Sequence, residues 1–134
     1  MTSIEITRTL PAGRERVWRA FTDPAEFVSW FWPARFESTG DVDARVGGAW
    51  RLVSDVTGMG LSGVFAAVEP PERLVFTWRW DGDQEETLVT LTLAPGAGGG
   101  TELTVLHERF ATAEDAESHG QGWADCLDRL PSVV

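Results

Sequence analysis

Apolar and polar positions alternate from the start of the chain. In "SIEITRTL" (3–10), Ile4, Ile6 and Arg8 share one face against Glu5, Thr7 and Thr9, which predicts a strand. "PAG" breaks the alternation. In "RERVWRAFTDP" Val17, Ala20 and Phe21 recur at helical spacing until Asp23-Pro24 stops them. A second short helix is predicted over 24–31, with Phe27, Trp30 and Phe31 on one side and Pro33 after it. From 36 to 109 the period returns to two. "FESTGDVDARVGGAWRLVSD" reads as two strands around a turn near Gly47-Gly48, with Trp50 and Leu52 on one face and Arg51 opposite. "LSGVFAAVE", "LVFTWRW", "TLVTLTLA" and "TELTVLHERF" are further strands, separated by the turn segments "PPER", "DGDQE" and "PGAGGG". In the last of them Leu103, Val105 and His107 face the same way. The chain closes on a helix. Thr112 is its cap, acidic residues fill its first turn, and Ala113, Ala116, Gly120, Trp123, Leu127 and Leu130 form one stripe that ends before Pro131. One strand, two short helices, about six strands and one long helix make an α+β domain, an antiparallel sheet with the last helix on its apolar face.

"LVFTWRW" sets Leu74, Phe76, Trp78 and Trp80 in one row, with Arg79 on the opposite face like Arg51. The helix stripe has large anchors in its C-terminal half and only Ala113, Ala116 and Gly120 in its N-terminal half. Small residues above Trp50, Trp78 and Trp80 leave two expectations: an apolar, aromatic-lined cavity between helix and sheet, or a solid tryptophan core. Under the first, the lining is expected to be Trp32, Trp50, Phe76, Trp78, Trp80, His107, Ala116, Gly120 and Trp123. Trp32, just past the second helix, belongs either to the cavity mouth or to an exposed patch suited to a homodimer. Gly120 and Gly122 each cost the helix about 1 kcal/mol relative to alanine, so something is expected to compensate for them or exploit them.

The bulk numbers narrow the partners. The 134 residues, 1–134, are expected to form a single domain. The net charge of −10 argues against nucleic acid and against anionic membrane surfaces. No apolar run is long enough to span a membrane, no signal segment is evident, and Cys126 is the single cysteine, which together predict a cytoplasmic protein. Every basic residue is arginine, which excludes Schiff-base chemistry, and there is no tyrosine. Two histidines and one cysteine at unrelated spacings predict no metal site and no cofactor. His107, facing inward, is either a satisfied core histidine or an acid, base or hydrogen-bonding group toward a ligand. His119 is expected at the solvent-exposed side of the helix, Cys126 as a small, partly buried residue, and Asp41 and Asp43 as solvated charges. "PGAGGG" and "GMGLSG" lack the context of a phosphate loop.

Five strings, "VWRAFTDPAEFVSWFWP", "DVDARVGGAWRL", "GVFAAVEPPERLVFTWRW", "GGGTELTVLHERF" and "GWADCLDRL", occur in an order that resembles the SRPBCC (START-like, helix-grip) superfamily. Within it the chain is most similar to the group named after the activator of heat-shock-protein ATPase, from about Ile4 to Leu130. The resemblance implies a curved antiparallel sheet of about six to seven strands gripping a long C-terminal helix, with two short helices after the first strand. It also implies a small hydrophobic ligand as partner, since superfamily members bind lipids, polyketides or hormones. Two other classes stay open: a cyclase-, aromatase- or hydrolase-type enzyme with His107 at the reacting atom, and a protein–protein adaptor that binds a chaperone. The chaperone activators carry a further N-terminal domain that these residues do not include, which ranks the adaptor last.

Overall fold

The first alternating segment is strand β1 (Thr2–Leu10), and the structure, a computed structural model, describes residues 2–134. Helix α1 (Arg14–Thr22) buries Val17, Ala20 and Phe21. Helix α2 (Pro24–Trp30) starts on Asp23, whose carboxylate accepts the Glu26 N–H at 3.1 Å, with Pro24 pre-set for the first turn. One 3-10 turn (Ala34–Phe36) leads to strands β2 (Thr39–Val42), β3 (Ala49–Val53), β4 (Gly60–Glu69), β5 (Arg73–Trp80), β6 (Thr87–Pro95) and β7 (Thr101–Phe110), and helix α3 (Ala113–Arg129) closes the chain.

All seven strands form one antiparallel sheet in the order β1-β7-β6-β5-β4-β3-β2. The long return that sets β1 beside β7 brings the two ends of the chain together, and α3 lies across β1 and β7. Helices α1 and α2 cover the rest of the same face, reaching β6 and β2. This is the expected helix-grip architecture, an α+β fold. The core is the layer between helices and sheet, and it contains Trp30, Trp50, Trp78 and Trp123.

Two local features were outside the reach of the pattern. Trp50 pairs with Gly63 across β3 and β4, and its indole lies over that glycine to donate to the Thr77 carbonyl at 3.1 Å. A β-carbon at position 63 would stand 1.8 Å from that oxygen, so only glycine fits. At the other end of the stripe, Ala113, in the first turn of α3, is exposed, contrary to expectation.

Candidate functional site

The row on β5 divides into two halves. Leu74 and Phe76 run beneath α1 and α2, where the side chains close almost completely. The gap left among Phe21, Phe27, Phe31, Trp50, Phe76 and Trp78 is about 10 Å³, no more than one water's worth, and is mostly apolar. This half of the row is a packed aromatic core, with Phe27, Phe31, Trp50 and Trp78 in edge and tilted contacts at 4.8–6.0 Å.

The other half opens. Trp78 and Trp80 form the floor of a cleft of about 460 Å³ between the segment after α2 and the second half of α3. Trp32 and Phe36 make one wall, and His119, Gly122 and Trp123 the other. Trp32 lies parallel to Trp80, within 3°, at 6.2 Å between ring centroids. Trp32 is buried and lines the cleft, so it does not form an exposed patch.

Hydrogen bonds fix both walls. Arg129 of α3 donates through Nε to the Trp30 carbonyl at 3.0 Å and through Nη2 to the Phe31 carbonyl at 2.6 Å, and the Cys126 thiol donates to the same Phe31 oxygen at 2.9 Å. These are the carbonyls that the end of α2 leaves without helical partners, so α3 caps α2 and sets the position of Trp32. Burial pushes the Cys126 thiol up to about 12, which keeps it a neutral donor. Ser54, also buried, donates to the Phe36 carbonyl at 2.6 Å and holds the far end of that wall.

Of the two histidines, one lies where the strand pattern put it and the other does not. His107 is fully buried behind the cleft. Its Nδ1 accepts from the Trp123 indole at 2.9 Å, which assigns the proton to Nε2, and Nε2 donates to Thr87 Oγ1 at 2.7 Å. Thr87 Oγ1 is 3.3 Å from the Trp78 carbonyl. Burial, and secondarily the nearby His119, lower the His107 pKa to about 3, so the ring is neutral near pH 7. Both nitrogens are occupied, leaving no atom to take or give a proton in the cleft. His107 is the satisfied core histidine, and it holds Trp123 and β6 in register beneath the cleft.

His119 was expected in solvent; it is half-buried in the cleft wall. Its Nδ1 is 2.7 Å from the Asp115 carbonyl, which can only accept, so Nδ1 carries the proton and Nε2 accepts from the Trp80 indole at 2.9 Å. It lies three residues after Ala116 and four before Trp123, on the flank of the stripe, which was the available signal.

Of the nine expected lining residues, Trp32, Trp78, Trp80 and Trp123 surround the cleft. Trp50, Phe76 and again Trp78 border the closed gap. His107, Ala116 and Gly120 reach neither space. The N-terminal half of α3 is sealed against β1, with Gly120 facing Ile4, where a β-carbon would lie 3.6 Å from Cγ2. The small residues permit close packing there. Among the described residues no group of three or more His, Cys, Asp or Glu converges as metal ligands. No helix is long and apolar enough to cross a membrane.

Residues 11–134 match the family model described as Activator of Hsp90 ATPase homolog 1-like protein. The chain belongs to this family. Its SRPBCC-type fold is shared by solved structures. Protein CV1439 from Chromobacterium violaceum is 32% identical, with 98% of this chain and 96% of that chain covered and a TM-score of 0.86. DynU16, from the dynemicin biosynthetic locus, is 27% identical over 97% of this chain and 46% of that longer chain, with a TM-score of 0.81. PFC0360w, described as an HSP90 activator from Plasmodium falciparum, shares the fold at 23% identity, covering 99% of this chain and 96% of that one, with a TM-score of 0.81. Among curated proteins none matches significantly.

Proposed function

We propose that this family member binds a small apolar molecule in the cleft over Trp78 and Trp80. One observation carries the reading: a cleft of about 460 Å³, in the size range of small-molecule sites, has four tryptophans in its lining and sits beside an aromatic core whose own gap is only about 10 Å³. Its walls are held by the Arg129, Cys126 and Ser54 hydrogen bonds, so a ligand meets a largely pre-formed surface and loses little affinity to ordering it. Trp80 is fixed by His119, which further limits its motion. A binding role, as opposed to acid–base catalysis, fits a site whose histidines have all ring nitrogens engaged.

The test uses a neutral solvatochromic dye, Nile red. The expected result is saturable 1:1 emission enhancement in the wild type and in Trp18→Phe, a change on α1 away from the cleft, and its loss in Trp80→Ala with an unchanged far-UV circular dichroism spectrum. Unaltered dye binding by a folded Trp80→Ala protein contradicts the proposal.

A further inference from the structure

The cleft is not uniformly apolar, and its charges are unusual for this molecule. The chain has 11 arginines against 21 acids. Six of those arginines (14, 16, 19, 45, 51 and 73) sit within 4.0 Å of a carboxylate. Arg35 and Arg129, the two that line the cleft, pair with no carboxylate among the described residues. Arg129 stands four residues after Asp125 on α3, the spacing at which such a pair commonly forms, but its guanidinium turns to the Trp30 and Phe31 carbonyls instead. Those bonds use Nε and Nη2 and leave Nη1 without an acceptor among the described residues. Arg35 rests on the Phe36 ring, 5.3 Å from its centroid, with its charge uncompensated. Asp125, the single acid in the lining, is exposed and accepts from Gln121 Nε2 at 3.1 Å. A protein of net charge −10 thus presents a net positive, aromatic-walled cleft.

We infer that the occupant is an aromatic carboxylate, its ring against Trp32 and Trp80 and its carboxylate on the free guanidinium edges of Arg129 and Arg35. The inference rests on the binding role proposed above and adds the chemical class. The aromatic side chains that line the cleft favour a planar ring over a flexible chain. A planar guanidinium with unused donors favours a carboxylate, through paired charge-assisted hydrogen bonds. Arg8, Arg79 and Arg109 also lack a carboxylate partner among the described residues, but Arg35 and Arg129 are the two that stand beside the cleft's aromatic walls, where an aromatic anion meets both features at once.

Isothermal titration with 2-naphthoate, 2-naphthamide and decanoate tests the assignment. The first two share ring and size and differ in charge; the third keeps the charge and lacks the ring. The expected result is that 2-naphthoate binds on the order of tenfold tighter than 2-naphthamide, the worth of a charge-assisted contact, and tighter than decanoate. Arg35→Gln, an exposed change that leaves the fold intact, is expected to reduce the naphthoate preference over naphthamide about threefold; Arg129→Lys, which keeps the charge and loses the fork, is expected to reduce it further. Equal affinity for naphthoate and naphthamide, or a preference untouched by Arg35→Gln and Arg129→Lys, overturns the carboxylate assignment while the cleft remains a binding site. Decanoate binding as tightly as naphthoate overturns the aromatic part. Failure of all three probes to bind overturns this inference and the proposed function together.

Discussion

His107 should make the stability of this protein acid-sensitive, in a window that it shares with the carboxylates. Folded, it is neutral with a pKa near 3; unfolded, it returns to about 6.5. A depressed folded pKa means that the unfolded chain binds the proton first. The stabilising contribution is complete above about pH 6.5 and is lost as pH falls toward 3. At 1.36 kcal/mol per unit, the loss is about 3 kcal/mol by pH 4.5 and about 5 kcal/mol once pH 3 is reached. The perturbation is His107→Gln. Glutamine keeps an N–H donor toward Thr87 but takes away the acceptor of the Trp123 indole, which costs about 1–3 kcal/mol at neutral pH. Glutamine does not titrate, so the variant escapes the acid penalty. Urea unfolding followed by tryptophan emission at about pH 7, 5.5 and 4.5 gives the difference between the two proteins, in which the shared carboxylates cancel. The gap should close or reverse between the first and last conditions. A constant gap across the whole range refutes the account of a neutral, doubly bonded His107.

Three further outcomes follow from the packing. Gly63→Ala should cost at least about 3 kcal/mol or prevent folding, because its β-carbon would displace the Thr77 carbonyl and the Trp50 indole together; thermal denaturation checks this. Gly122→Ala should stabilise the protein by up to about 1 kcal/mol, since it is a helical, exposed glycine with open space around its missing β-carbon, and its melting temperature should rise by a few degrees. Cys126 should resist iodoacetamide at about pH 8 in the folded protein and react once unfolded, because the thiol is buried and pushed up to about 12; mass spectrometry of the alkylated chain decides it.

The strand row Leu74–Trp80, the Thr112 cap, the inward face of His107 and the order of all ten main elements were legible in the sequence, because each depends on local period or on one capping residue. The position of the open space was not. Small residues at Ala116 and Gly120 suggested a void beneath the first half of α3, but what lies beneath that half is β1, and its pairing with β7 is a contact between opposite ends of the chain that no local pattern encodes. With Ile4 filling that space, the opening shifts to the second half of the helix, where Gly122 leaves room opposite the segment after α2. Arg129 was missed as a site residue because its role lies in capping a helix about a hundred residues earlier.

The seven tryptophans offer the most direct test of the central claim, that the cleft over Trp78 and Trp80 is where a ligand binds. Each indole N–H gives its own cross-peak in a nitrogen–proton correlation spectrum. On titration with 2-naphthamide, the peaks of Trp32, Trp78, Trp80 and Trp123 should move along saturable curves with one common affinity, while those of Trp18, Trp30 and Trp50 stay in place. Shifts centred on Trp18 or Trp50, or none at saturating ligand, would contradict the account.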